Sequence, residues 1–223
     1  MLTLAIDTST NILSLALVQD GIVLSRLDEP TKNNQSAILM SRVETLLKSK
    51  DFRATDLTNI AVAIGPGSYT GIRVGVAAAK SLGYALNIPV TGISSLAVMA
   101  KASGVDTGVV ASMIDARRGT VFAGVYGSSG NVIVAEGHYD LDDFLSQLNF
   151  SNAQVTFFGD AATLYKEKLL EQAKNVLVIA EDEFSRSKAE ALVELANKGL
   201  SQKNIHELVP NYLRKTEAEL NLE

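Results

Sequence analysis

The first sixty residues alternate between apolar runs and short polar turns. Residues 2–6, 13–17 and 22–24 are mostly apolar, and the turns Asp7-Thr8-Ser9-Thr10 and Asp20-Gly21 separate them. This pattern predicts three antiparallel strands. A stripe with helical spacing then begins at Ser36, a plausible N-cap, and predicts an amphipathic helix. Its apolar face contains Leu39, Met40, Val43 and Leu47.

A glycine-rich turn follows the apolar run at residues 60–64. The sequence Gly65-Pro66-Gly67-Ser68-Tyr69-Thr70-Gly71 predicts a tight turn and the start of a helix that ends near residue 86. One interpretation is a phosphate site, with Gly67 near the anion at the helix N-terminus. The Lys-Ser or Lys-Thr pair of a Walker loop is missing, however, which favours a packing role for the turn.

Small residues recur every four positions along this helix. Gly71, Gly75, Ala79 and Gly83 therefore form one stripe on a helix. Each glycine costs about 1 kcal/mol relative to alanine in a helix, so the stripe implies a close packing contact. The contact is either with the chain's own sheet or with a helix of a partner subunit, and the pattern alone leaves both open.

The order of elements then repeats. Residues 109–115 predict a strand that ends on Asp115, as the first strand ends on Asp7, and a hairpin, a third strand and later a strand, glycine turn and helix follow. Two similar βββαβα halves predict an α/β protein of the actin-like/Hsp70-like (ASKHA) fold. We place the N-terminal half at residues 1–104 and the C-terminal half at residues 105–223, with the apolar C-terminal tail docking back on the body.

Composition narrows the classes of function. The 223 residues are 47% hydrophobic, carry a net charge of −5 and contain no cysteine, which excludes disulfides and thiolate chemistry. No apolar run is long enough to span a bilayer and no secretory leader is evident, so we expect a cytoplasmic protein without membrane contact. The acidic balance gives no general attraction to nucleic acid.

Five sequence strings, in order, resemble the bacterial TsaB family, also called YeaZ. They are L-A-I-D-T-S-T at residues 4–10, G-P-G-S-Y-T-G-I-R-V-G at 65–75 with A-K-S-L at 79–82, P-V-T-G-I-S-S-L at 89–96, D-A-R-R-G-T-V-F at 115–122 and P-N-Y-L-R at 210–214. The resemblance covers the chain from end to end. It implies a role in making threonylcarbamoyladenosine (t6A) at tRNA adenosine 37.

The resemblance also implies partners. In the family, TsaB pairs with its catalytic paralogue TsaD through N-terminal helices, and the ATPase TsaE binds the pair. We therefore expect a heterodimer with TsaD, a homodimer when the chain is isolated, and tRNA contact only within the complex. No cofactor is expected in the lone chain, with ATP or ADP the candidate ligand at the complex interface. The expected interface residues are Ser36, Leu39, Met40, Val43, Leu47, Gly71, Arg73, Gly75, Ala79 and Gly83.

The same resemblance indicates that the chain is not an enzyme. TsaD-type enzymes hold a metal partly through a His-x-x-x-His pair, and the equivalent positions here are Ser95 and Met99, which cannot replace two imidazoles. We therefore expect no catalytic residue and no metal site. Many relatives also begin the first long helix with His-Ser-Glu, where this chain has Gln35-Ser36-Ala37.

A second hypothesis is a stand-alone ATP-dependent phosphotransferase of the same fold. Asp7 and Asp115 would then position magnesium, with Gly67 near phosphate and Arg117 and Arg118 as candidate anion ligands. Under the leading scaffold hypothesis, replacing Gly75 by Leu is expected to abolish partner binding and to leave the isolated chain folded.

Overall fold

Ten strands and seven helices are described, together with one short 3₁₀ turn. The computed structural model describes residues 1–31, 34–148, 154–172, 176–179, 187–197 and 205–214. The strands are β1 (Leu2–Asp7), β2 (Ile12–Gln19), β3 (Ile22–Pro30), β4 (Asn59–Ala63), β5 (Val90–Ile93), β6 (Val109–Asp115), β7 (Thr120–Gly127), β8 (Val132–Asp140), β9 (Val155–Phe158) and β10 (Val176–Ile179). The helices are α1 (Gln35–Lys48), α2 (Tyr69–Leu86), α3 (Ser95–Ala102), α4 (Leu141–Ser146), α5 (Asp160–Leu164), α6 (Lys166–Gln172) and α7 (Lys188–Asn197).

The strands form two five-stranded sheets with the same topology. Their orders are β3-β2-β1-β4-β5 and β8-β7-β6-β9-β10. In each sheet the first three strands form an antiparallel meander, and the last two run parallel to the central strand. The repeat in the sequence thus corresponds to a repeat in topology, and the prediction of two similar halves with an actin-like fold is confirmed.

Both sheets are covered on each face, which explains why their central strands are mostly apolar. Leu4 and Ile6 of β1 pack with α1 and α2, whereas Ala5 between them packs with α3 and α7. The strand β6 alternates in the same way: Met113 faces α4 to α6, and Ile114 faces α3. The helices α3 and α7 therefore lie between the two sheets.

The helix α7 packs on the first sheet, although it follows all the strands of the second. Ala191, Leu192 and Leu195 share a cluster with apolar residues of β1, β4 and α3. A division of the sequence at residue 104 thus separates α7 from the sheet that it covers.

Residues 205–214, called the strap here, run back over the first half and reach the second. Leu208 is buried in the core of the first half, and the Asn211 amide donates to the Ile64 carbonyl (2.7 Å). Leu213 then packs with the α3–β6 cluster, and Arg214 Nη1 donates to the Ala116 carbonyl at 3.4 Å. The strap therefore contacts both halves.

The small-residue stripe of α2 packs against the chain's own first half. A Cβ on Gly71 would clash with the Thr8 carbonyl oxygen, and a Cβ on Gly75 with the Thr8 hydroxyl. The Thr8 hydroxyl donates to the Gly71 carbonyl at 2.7 Å, so helix and hairpin are bonded directly. Gly83 lies against Val90 of β5. Of the two contacts that the sequence left open, the structure has the intramolecular one.

Predicted and observed elements differ mainly at their ends. The strand predicted from residue 131 extends to Asp140, and the single helix predicted from Ala161 to Ala173 is divided at Tyr165 into α5 and α6. The helix α1 begins at Gln35 after Asn34, so Ser36 lies in its first turn and is not the N-cap. The predicted helix ends at Ala173 and Lys198 and the tail beyond Arg214 lie outside the described residues.

These contacts change the expected effect of Gly75→Leu. The chain was expected to stay folded, and the structure adds a cost in stability, because the new side chain would overlap the Thr8 hydroxyl in a closely packed core. We predict a loss of about 1–3 kcal/mol or more in the free energy of unfolding, measured by urea denaturation. Ala85→Leu, at an exposed position of the same helix, is the control and should change stability little. Equal stability of the two variants would contradict this packing.

Candidate functional site

The outer surface of α1 and α2 carries exposed apolar and small side chains. On α1, Ala37 is exposed and Met40 is 47% exposed. On α2, Ala77 and Ala85 are exposed, and Tyr84 is 74% exposed. We call this surface the α1–α2 face. Small side chains on it allow another helix to approach closely.

The face begins at a small groove between the two helix N-termini. Ser36 of α1 and Thr70 and Val74 of α2 line this groove, which has a volume of about 140 Å³. The Gln35 side chain lies beneath it, and its amide nitrogen donates to the Thr10 carbonyl at 2.6 Å. Gln35 is buried and joins α1 to the first hairpin, so it is a structural residue of the face and not part of its exposed surface.

Ten residues were predicted at a partner interface, and the structure exposes three of them. Ser36, Met40 and Arg73 are on the outer surface. The other seven are buried within the chain, where they hold α1 and α2 on the first sheet: Leu39, Val43, Leu47, Gly71, Gly75, Ala79 and Gly83. In this conformation the chain itself covers those seven residues, which leaves Ser36, Met40 and Arg73 as the predicted interface residues that are open to a partner. The apolar stripe signalled a packed helix face, and that face packs inward.

Arg73 lies at the edge of the face between two tyrosines. Its guanidinium carbon is 4.1 Å from the centre of the Tyr69 ring, and its Nε donates to the Tyr212 hydroxyl at 2.7 Å. The two rings are 5.1 Å apart, and both are partly exposed. The cluster therefore links α2 to the strap through a cation–π contact and a hydrogen bond. The sequence analysis named Arg73 but neither tyrosine, because the cluster depends on Tyr212, which is 139 residues from Arg73.

A cleft of about 750 Å³ opens between the two halves. Its walls come from the first hairpin, the glycine turn, the β6–β7 hairpin and the strap. Of the candidate anion-binding residues, Gly67, Asp115 and Arg117 line this cleft. Any other residue at position 67 would be strained, because Gly67 has a φ of 149° and an added Cβ would overlap the Ser9 carbonyl. The glycine turn thus seals one wall of the cleft by packing on the first hairpin.

Two of the candidate anion-binding residues lie outside the cleft. Asp7 is completely buried, and its Oδ1 accepts from the Ser9 amide (2.8 Å) and the Ser9 hydroxyl (2.7 Å). Its other oxygen has no hydrogen-bond partner within the described parts of the chain. Arg118 is exposed beyond the cleft wall. Asp115 lines the cleft and Asp7 does not, so the structure does not place both carboxylates on the cleft surface.

The family resemblance equates Ser95 and Met99 with a metal-binding histidine pair, and both side chains are packed in the core. Ser95 is fully buried and its hydroxyl accepts from the Gly65 amide at 3.1 Å. Met99 is buried among Leu96, Ile114 and Phe158. Within the residues that the structure describes, no group of three histidine, cysteine or acidic side chains is placed to hold a metal ion. Among the same residues, no helix has the length and apolarity to cross a membrane.

The fold and the cleft define an actin-like, two-half protein, and comparison with known proteins narrows the class. Residues 28–222 match a family model described as TsaD, tRNA N6-adenosine threonylcarbamoyltransferase. The chain is 34% identical over 222 residues to the tRNA threonylcarbamoyladenosine biosynthesis protein TsaB of Bacillus subtilis. The aligned region covers 98% of this chain and 96% of that protein. TsaB of Escherichia coli is 35% identical over 135 residues, or 60% of this chain and 58% of that protein.

Comparison with solved structures points to the same family. A structure described as YeaZ from Pseudomonas aeruginosa has a TM-score of 0.79 at 26% identity and covers 95% of this chain and 99% of that one. The ethanolamine utilization protein EutJ from Carboxydothermus hydrogenoformans has a TM-score of 0.54 at 14% identity, covers 86% of this chain and 89% of that one, and shows the shared fold alone. The chain belongs to the TsaB (YeaZ) family, as its sequence motifs indicated.

The buried amide of Gln35 provides a test of how the α1–α2 face is held. Gln35→Ala removes the donor to the buried Thr10 carbonyl, and we predict a loss of about 1–3 kcal/mol in the free energy of unfolding. The neighbouring Ser36→Ala is the control and should change stability by no more than about 0.5 kcal/mol, because Ser36 is exposed. Chemical denaturation measures both variants. Similar values for the two would show that Gln35 does not anchor α1.

Proposed function

We propose that this chain is a non-catalytic scaffold subunit required for t6A modification of tRNA adenosine 37. In this proposal it dimerises with the catalytic paralogue TsaD and recruits the ATPase TsaE. Membership of the TsaB family supports the pathway, since the relatives in Bacillus subtilis and Escherichia coli carry that function in their names. The scaffold role is the further step, and it rests on the chain's surface.

The single observation that carries the scaffold role is the exposed α1–α2 face. A monomer that leaves Met40 and Tyr84 exposed on two helices that also carry exposed alanines has an apolar surface suited to a partner. Arg73 at its edge supplies a charge for orientation of that partner. We propose that TsaD covers this face, and that a second copy of this chain covers it when TsaD is absent.

The identity and burial of Ser95 and Met99 support a non-catalytic role. A hydroxyl and a thioether are poor replacements for two imidazoles at a zinc or iron site, and both side chains are already packed in the core. We therefore assign catalysis to the partner. Because the chain carries a net charge of −5, we propose that tRNA binds only to the assembled complex, in the cytoplasm.

The cleft favours one alternative, a stand-alone phosphotransferase. Its volume suits a nucleotide, and Arg117 and Asp115 line it. Against this alternative, Asp7 is buried away from the cleft, so the pair of carboxylates expected to hold magnesium is incomplete. Calorimetry of the lone chain with Mg-ATP distinguishes the two functions, because tight binding with turnover would support the phosphotransferase.

The scaffold proposal predicts that a charge on the α1–α2 face disrupts the complex. Met40→Glu should lower affinity for TsaD at least roughly tenfold, because an unpaired carboxylate would be buried at the interface. Co-purification and calorimetry measure the binding, and mass spectrometry of digested tRNA measures t6A in cells that depend on the variant.

The control is Ile22→Glu, which adds the same charge at an exposed position of β3. This variant should retain both complex formation and t6A. Because Met40 is exposed, Met40→Glu should fold as well as the control, which thermal melting checks. Normal TsaD binding by Met40→Glu would remove the α1–α2 face from the proposal.

A further inference from the structure

A second cavity lies on the other side of α3, away from the cleft and from the α1–α2 face. Its volume is about 320 Å³, near the lower limit of small-molecule sites. One wall is α3, with Ala97 and Ala100, and the facing wall is the β7–β8 hairpin, with Val132. The first half thus supplies one side of the cavity and the second half supplies the other. The lining is mixed, with an apolar body and a few polar groups.

A hydrogen-bonded pair, Tyr126 and Glu136, fixes the polar end of this cavity. The Tyr126 hydroxyl donates to Glu136 Oε1 at 2.6 Å, and both residues line the cavity. Burial of the ring, followed by the nearby Glu136 charge, raises the pKa of Tyr126 well above its ordinary value. Tyr126 therefore remains a donor, and it holds the Glu136 carboxylate in place. Within the described part of the chain, Tyr126 is the sole hydrogen-bond partner of that carboxylate, which leaves Oε2 available.

The charges around the cavity favour a cation. The ionisable groups on its lining besides Tyr126 are Lys101, Asp106 and Glu136. Lys101 is paired with Glu194 of α7 at 3.0 Å, so its charge is already balanced. Asp106 is exposed at the rim and Glu136 lies deeper. The cavity thus presents net negative charge beside apolar walls.

We propose that this cavity is a binding site for a small organic cation, with an apolar or aromatic body between α3 and the β7–β8 hairpin and one ammonium group at Glu136. The ammonium donates to Glu136 Oε2, a charge-assisted hydrogen bond. The body packs on Ala97, Ala100 and Val132. Because both halves form its walls, the bound cation bridges them. The site is independent of partner binding through the α1–α2 face.

A matched pair of probes tests the charge preference. 2-Phenylethylammonium and 3-phenylpropionate have the same aromatic body and opposite head groups. In ¹⁵N-labelled full-length chain, the cation should give saturable amide shifts at Ala97, Ala100 and Val132, with a dissociation constant lower than that of the anion by roughly tenfold or more. Equal affinity for the two probes, or no saturable shifts with either, would overturn the proposal.

Three variants and one control separate the site from non-specific binding. Glu136→Gln keeps an acceptor for Tyr126 but removes the charge, and the preference for the cation should disappear. Glu44→Gln on α1 is the matched control for this loss of charge and should bind both probes as the parent does. Val132→Lys places a positive charge at an exposed edge of the cavity and should weaken cation binding. Ala100→Phe should block both probes, with folding checked by thermal melting. Retained preference for the cation in folded Glu136→Gln would reject Glu136 as the head-group site.

Discussion

The close approach of α2 to the first hairpin is the constraint on which the rest of the structure depends. Thr8 bonds to the Gly71 carbonyl and occupies the space beside Gly75, and the Ser68 amide donates to the Ser9 carbonyl at 2.7 Å. No side chain larger than hydrogen fits at these two glycines. The contact sets the position of α2, and α2 in turn carries one wall of the cleft and half of the α1–α2 face.

This constraint explains how one helix serves two surfaces. Its inward stripe consists of glycine and alanine because the hairpin and β5 lie directly against it. Its outward side also carries small residues, such as Ala77 and Ala85, although no part of the described chain covers them. Intramolecular packing accounts for the small residues on the inward side. It does not account for those on the outward side, and the proposed partner contact depends on these alone.

The sequence predicted the elements and the repeated halves well, because apolar periodicity and glycine turns are local signals. It could not separate the inward from the outward side of α2, since Gly75 and Ala77 are both small residues and the neighbours that distinguish them come from distant parts of the chain. The same limit applies to Leu39 and Val43, whose spacing indicated a packed face without indicating the chain that packs on it. The Arg73 cluster and the cavity at Glu136 depend on contacts between distant segments, which no local pattern encodes.

The strap adds a connection between the two halves to those made by the chain that leads from α3 into β6 and by α7, which follows β10 but packs on the first sheet. It is bonded to Ile64 in the first half and to Ala116 in the second, and Leu213 is packed at the junction. A segment that is attached to both halves resists a change in the distance between them. In this chain, widening of the cleft requires release of the strap.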